Sequence, residues 1–197
     1  MWERPDPFQA AIGRAVDRQS VVRAEPLSLI EFTRRAWPVI KPHEEWQDCS
    51  FHEENAVWGE ALISGLMPRQ LHCGPSRSGK STIFVVMLNA WAWTFVPWMQ
   101  FLTASHSHSL AEEGSTATRR VVESEWYQSL WPLKLRDDQN RKGFFANVEG
   151  GHRQIASVGG NTTGLGGMSS SATTYWTQWT GSRPRVYAKR STTGARV

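Results

Sequence analysis

Cysteine is scarce: Cys49 and Cys73 are the two present in 197 residues. Two thiols cannot build a disulfide framework and are too few for a cysteine-rich metal centre, so both read as free thiols of a reducing compartment. Long apolar runs are also missing. The best candidate, IFVVMLNAWAWTFV from Ile83 to Val96, falls short of the roughly 20 residues a membrane-spanning helix needs. It reads as a buried helix, and no membrane partner is expected. The opening MWERPDPFQA lacks the basic-then-apolar pattern of a signal peptide. The sequon Asn161-Thr162-Thr163 carries little meaning in a cytosolic chain. The most informative absence is of one charge sign: no Asp or Glu occurs beyond Glu149. From Met168 to Val197 the chain reads MSSSATTYWTQWTGSRPRVYAKRSTTGARV, rich in Ser and Thr, with Arg183, Arg185, Lys189, Arg190 and Arg196 as its charged side chains. That composition predicts a basic, low-complexity, disordered tail. A nucleic-acid-binding role for it is a weaker reading, because basic tails hold polyanions without specificity.

What is present is a core. Hydrophobic residues make up 40% and charged residues 20%, a balance that predicts a packed globular domain. The formal charge of +4 and isoelectric point near 9.4 suit a polyanionic partner without demanding one. Eleven tryptophans, clustered at Trp91, Trp93 and Trp98 and again at Trp126 and Trp131, read as large core side chains. Base stacking is the alternative, with no motif behind it. Leu29, Ile30, Phe32, Thr33 and Trp37 form a helical stripe, after which Pro38 and Pro42 are expected to break the chain. His52 to Gly65 predicts a second helix with Val57, Trp58, Ala61 and Leu62 on one face and Gly65 as its stop. Gln70 to Cys73 gives a short strand signal, Lys80 to Val96 a buried helix, Trp98 to Ala104 a strand and Leu110 to Ser124 a polar helix. Phe144 to Val148 and Arg153 to Val158 flank Glu149-Gly150-Gly151 as a hairpin. This order predicts an α/β domain with a mainly parallel sheet.

One motif carries chemistry. Gly74-Pro75-Ser76-Arg77-Ser78-Gly79-Lys80-Ser81, followed by Thr82, satisfies G-x-x-x-x-G-K-[ST] in full. A polyphosphate needs several donors converging on one concave surface, and the successive backbone N–H groups of a tight loop supply them. Gly74 and Gly79 permit the backbone angles and the close approach. A helix starting near Lys80 directs its N-terminal N–H groups and positive dipole end at the phosphates. The Lys80 ammonium can bridge β- and γ-oxygens, and the Ser81 hydroxyl is placed for Mg²⁺. Arg77 adds a second cation that could touch the γ-phosphate; a solvated loop arginine is the alternative.

Further stretches join this loop in one order: Ala90-Trp-Ala-Trp93, Phe101-Leu-Thr-Ala-Ser105 with Ser109-Leu110, Glu123-Ser-Glu-Trp-Tyr-Gln128 and Asp138-Gln-Asn140. Asn147 with Gly150-Gly-His-Arg153, then Ser157-Val-Gly-Gly160 and Thr163-Gly-Leu-Gly-Gly167, complete the series. Together they resemble the ATPase half of the large terminase subunits of tailed bacteriophages over about residues 40–167. The resemblance implies a P-loop NTPase fold of the RecA-like, additional-strand type, incomplete at its C-terminus. It implies an ATP- and Mg²⁺-dependent motor that drives double-stranded DNA into a capsid in the host bacterial cytoplasm. The small terminase subunit and the portal protein are its implied partners, and a homo-oligomer its implied assembly. Gly74 to Thr82 would hold the nucleotide, with Lys80 on phosphate, Ser81 on Mg²⁺ and Arg77 at the γ-phosphate. Trp46 to His52 resembles the family's segment near the adenine, without an assigned base contact. The domain reading is an arm and helix over 1–40, a partial P-loop ATPase domain over 41–167, and the basic tail over 168–197.

The departures are equally specific. Where the family has an apolar strand ending in paired acids, this chain reads Met168-Ser-Ser-Ser-Ala-Thr-Thr-Tyr175. The nuclease domain implied by the family is missing as well, and the switch to an acid-free tail looks like a frame shift or truncation. Poor hydrolysis and marginal folding are therefore expected, since catalysis of phosphoryl transfer rests on positioning and electrostatics. An inert prophage remnant that binds nucleotide or DNA at most, and a small nucleotide kinase, are the other readings. Among lesser constellations, His106 and His108 read as a solvated turn rather than a metal site. Asp137-Asp138 reads as a solvated loop. Glu44-Glu45 and Glu53-Glu54 read as surface charge, and Arg119-Arg120 and Arg141-Lys142 as solvated faces or a DNA contact.

Overall fold

The structure, a computed structural model, describes residues 24–157 apart from Pro68, Ser76 and His106. The expected tail over 168–197, the Ser157-Gly160 and Thr163-Gly167 runs beyond Ser157, and most of the expected N-terminal arm lie outside the described residues.

Helix α1 spans Leu29–Ile40 and opens on Ser28, whose Oγ accepts from the Glu31 N–H at 3.4 Å. Its buried face is Leu29, Phe32, Thr33 and Ala36, the i, i+3, i+4, i+7 spacing of a helix laid on a core. Pro38 does not end it. The ring removes one backbone donor in the last turn, and the helix closes after Ile40 with the Lys41 N–H on Trp37 O at 2.9 Å.

Helix α2 spans Ser50–Ile63 and stops at Gly65, which takes φ +78°. Its buried face corrects the expected one. Asn55, Ala56 and Gly59 face inward, while Val57 and Trp58 are 63% and 41% exposed. Close approach decides this: a Cβ on Gly59 would come within 2.7 Å of Leu29 Cδ2 and 3.1 Å of Leu88 Cδ1.

The apolar run after the loop forms a helix, as expected. It begins as a π-helical segment, Thr82–Met87, and continues as α3, Leu88–Ala92, with α3 buried on every side. Its tryptophans are core. Trp91 and Trp93 are buried, and their indole N–H groups donate to Leu27 O at 2.7 Å and Met99 O at 2.8 Å. Trp131 is likewise buried and donates to Ala24 O, and Phe32 lies between Trp126, Tyr127 and Trp131 at 5.4–6.2 Å.

The sheet is mixed, not mainly parallel. Strands β1 (Gln100–Ser105), β2 (Leu135–Arg141), β3 (Phe144–Asn147) and β4 (His152–Ser157) lie in the order β1-β4-β3-β2. β1 and β4 pair in parallel from Gln100↔His152 to Ser105↔Ser157, whereas β3 pairs antiparallel with both β4 and β2. The β3–β4 hairpin turns on Asn147, whose Oδ1 accepts from the N–H groups of Glu149 and Gly151 at 3.0 and 2.9 Å. Helices α4 (His108–Glu123) and α5 (Glu125–Leu130) lie between β1 and β2 in sequence, and α4 packs on β4 and on the π-helical segment.

Two expectations about strands fail. Gln70 to Cys73 precedes the loop as irregular chain outside any ladder. LRDDQNR, expected to be a solvated loop, is β2, an edge strand with Leu135 as its buried residue. An edge strand with solvent on most sides carries no alternating apolar signal.

Candidate phosphate-binding site

The loop from Gly74 to Thr82 lies between this irregular segment and the π-helical segment, beside the N-terminal half of α2. Gly79 takes φ +74° and Arg77 φ +61°. The first is the freedom glycine supplies; the second is backbone strain in a residue with a side chain, a feature that gathers at ligand sites. Lys80 and Ser81 are already helical, and the Ile83 N–H closes on Gly79 O at 3.0 Å. The first helical N–H groups therefore face the loop's concavity.

Lys80 defines the geometry. Its Nζ donates to Gly74 O at 2.6 Å and Pro75 O at 2.9 Å, so the ammonium lies across the loop. Two neutral carbonyls satisfy it only in part, and anionic oxygens are the stronger acceptors for a cation. A Cβ on Gly74 would lie 3.3 Å from Lys80 Cδ and 2.7 Å from Phe51 Cζ. Glycine there leaves room for the lysine to fold back.

The underside of the loop is set by α2. His52 Nε2 lies 3.1 Å from Ser78 O, and because a carbonyl only accepts, Nε2 carries the proton. A Cβ on Gly79 would meet His52 Nε2 at 2.8 Å. Trp46 stacks on His52 with ring centroids 4.6 Å apart, and Trp37 meets Trp46 at 5.0 Å. Asp48 fixes Trp46 by accepting its indole N–H at 2.6 Å. That bond and the Arg34 guanidinium at 2.9 Å hold the carboxyl below its usual range. Sequence reasoning reached Trp46 to His52 only as a loose resemblance. No spacing rule reveals that His52 braces the loop from below. His72, just before the loop, stacks on Phe84 at 4.3 Å, and burial lowers its pKa.

A cavity of about 120 Å³ is lined by Pro75, Arg77, Ser78, Gly79, Lys80, Ser81 and Thr82. The Ser78 Oγ is buried at the loop without a hydrogen-bond partner among the described residues. A tight loop turning at Gly79, a lysine in reach and an orphaned hydroxyl fit a phosphate group. Of the predicted site residues, Gly74, Pro75, Arg77, Ser78, Gly79, Lys80, Ser81 and Thr82 are brought together, and Ser76 lies outside the described residues. A second, larger cavity of about 340 Å³ adjoins the loop at Ser81 and Thr82 and runs between Val85, Gly114 and Thr103. Among the described residues the second edge of β1 has no strand partner.

The other constellations resolve. Asp138 pairs with Arg136 at 2.9 Å, which lowers its pKa, and sits on β2 at the sheet edge opposite β1. His108 starts α4 and faces Glu112 at 3.7 Å. Among the described residues no three His, Cys, Asp or Glu side chains gather as a metal site. Arg119 is engaged by Glu123 and Asn140 rather than presented alone to a ligand. Cys49 and Cys73 are exposed free thiols. No described helix is long and apolar enough to cross a membrane. Comparison of the chain with family models, with curated proteins and with solved structures finds no match.

Proposed function

We propose that the chain binds ATP with Mg²⁺ through Gly74 to Thr82 and is the nucleotide-binding portion of a DNA-packaging motor of the large-terminase type. The observation that carries this is the Lys80 ammonium folded across the Gly74–Gly79 loop at the start of a buried helix. Backbone N–H groups of the loop bind phosphate, Lys80 moves from the Gly74 and Pro75 carbonyls to phosphate oxygens, and Arg77 supplies a second cation. Ser81 ligates Mg²⁺, which when bound neutralises charge between the terminal phosphates. The fold is then a RecA-like one in which β1 and β4 are the parallel pair. Double-stranded DNA, the small terminase subunit, the portal and further copies of the chain are the partners of this reading, and the bacterial cytoplasm its compartment.

A second reading has its own observation. In the stretch where the family carries its acidic strand this chain reads Met168 to Tyr175, without Asp or Glu, which favours a chain that binds nucleotide with very slow turnover. Titration with a fluorescent ATP analogue separates the cases. Lys80→Ala is expected to weaken binding at least tenfold, the loss of one charge-assisted contact set. Unchanged affinity in that variant would remove the phosphate-loop reading altogether. Mg²⁺-dependent turnover near ordinary motor rates would remove the slow-turnover reading and keep the loop.

A further inference from the structure

We propose that His52, on α2, is a positioning residue for phosphate binding: it holds the Ser78–Gly79 peptide with its N–H turned toward the bound anion. This rests on the reading of Gly74 to Thr82 as a nucleotide loop. The cavity of about 120 Å³ in the loop is lined by Ser78, Gly79 and Lys80 but not by His52. The imidazole therefore meets the loop from outside the cavity, where its Nε2–H donates to Ser78 O at 3.1 Å. In a trans peptide the C=O and the following N–H point in opposite directions. Drawing the Ser78 carbonyl onto His52 thus turns the Gly79 N–H away from the imidazole, to the side on which the cavity lies. Among the described residues nothing accepts from that N–H, which leaves it for a ligand.

Gly79 makes this hold necessary. Glycine adopts positive and negative φ about equally well, so the peptide that precedes it rotates more easily than one between two residues with side chains. A rotation of this kind separates type I from type II turns, and glycine permits both. With Gly79 at φ +74° the loop occupies one of two accessible arrangements. In the other, the Ser78 carbonyl oxygen would face the phosphates where a donor is needed, and a phosphate loop works by converging N–H groups. The hydrogen bond from His52 selects the arrangement that binds.

The imidazole is itself held from α1. Trp46 stacks on it at 4.6 Å and donates its indole N–H to Asp48 at 2.6 Å, and Arg34 on α1 grips Asp48 at 2.9 Å. Trp37, also on α1, meets Trp46 at 5.0 Å. The second ring nitrogen, Nδ1, is buried with no hydrogen-bond partner among the described residues. The bond to Ser78 O is then the polar contact this ring makes, beside one buried acceptor left unmet. An unmet buried polar atom destabilises the fold, so an apolar side chain would fill the same space better. The imidazole earns its place through the donor.

The test titrates the full chain with a fluorescent ATP analogue and then displaces the analogue with tripolyphosphate, which reads the phosphate contacts alone. His52→Gln carries an amide donor near the position of Nε2 and is expected to stay within about threefold of the parent for both ligands. His52→Leu has no donor and His52→Asn holds its amide too short to reach, so each should bind both ligands about tenfold more weakly, the loss of one hydrogen bond to an anion. In nuclear magnetic resonance spectra of chain labelled at glycine, the Gly79 amide should move downfield on adding tripolyphosphate in the parent and in His52→Gln, and stay in place in His52→Leu. Urea midpoints identify the folded variants; should His52→Leu unfold, the contrast between Gln and Asn carries the test. Equal losses in Gln and Asn, or parent-like affinity in His52→Leu or His52→Asn, would overturn the assignment. Failure of the nucleotide-loop reading looks different: the parent chain would not bind the analogue, or would bind it equally after Lys80→Ala, whatever stands at position 52.

Discussion

Gly79 and His52 hold one another in place. The loop turns at Gly79 with φ +74°, a region that costs a residue with a Cβ about 1–2 kcal/mol. The imidazole of His52 occupies the space beneath it, 2.8 Å from where that Cβ would be. Gly79→Ala is therefore expected to lower the unfolding free energy by about 1–2 kcal/mol, read by urea denaturation, and to weaken ATP-analogue binding. Adding His52→Ala removes the contact but leaves the backbone strain, so the double variant should regain only part of the loss. Full recovery would show that the steric contact, rather than φ, sets the requirement for glycine. Gly74 answers to a different constraint: it makes room for Phe51 and the folded Lys80, and its φ is not in the left-handed region. The two glycines of one motif are thus required for separate reasons, and the motif alone distinguishes neither.

At the scale of elements, the π-helical segment is explained by what surrounds the Val85 carbonyl. In a π turn the Leu88 N–H reaches back to Ile83 O, which loosens the usual ladder. Val85 O then accepts from Arg153 Nη1 at 2.6 Å, Asn89 Nδ2 at 2.9 Å and Thr118 Oγ1 at 3.3 Å. Arg153 also donates to Thr118 Oγ1, so one side chain ties β4 to the helix after the loop and to α4. Its guanidinium is fully buried with Nε and Nη2 unpartnered, no carboxylate pairs with it among the described residues, and burial lowers its pKa to about 9. A cation so placed costs stability wherever it stays charged in the folded chain, that is, below about pH 9. Arg153→Met is expected to raise unfolding free energy at pH 7 by about 1–4 kcal/mol, an advantage that shrinks as pH rises past the folded pKa. A destabilised variant would mean that the three-way bond outweighs the desolvation. Such a strap cannot be read from the sequence, where Arg153 is one basic residue in a predicted strand. The glycine loop, the buried helix and the β3–β4 hairpin were legible because each has a local cause: motif spacing, continuous apolarity, an Asn-to-Gly turn. β2, the mixed pairing of the sheet and the inward face of α2 have tertiary causes and left no local trace.

The whole molecule carries a pH dependence that its net charge of +4 does not suggest. His72 stacks on Phe84 beside the loop, and His152 stacks on Phe144 in the sheet; burial lowers the pKa of both. A depressed histidine is neutral in the folded chain at a pH where the unfolded chain already binds its proton. Stability is then complete above the ordinary histidine pKa of about 6.5 and falls as pH drops below it. The carboxylates held by cations, Glu31 by Arg35 and Asp138 by Arg136, act in the same direction but in a lower window, below about pH 4. Two separate acid transitions are therefore expected. Urea midpoints measured every half unit from pH 8 to pH 3 should decline first between about pH 7 and 5, as the histidines require. In His72→Gln/His152→Gln that first decline should flatten while the second persists. A flat profile between pH 7 and 5 in the parent chain would show that neither imidazole is buried in solution. With it would go the tight seating of His72 on Phe84, through which the chain before Gly74 is anchored to the helix that follows the loop.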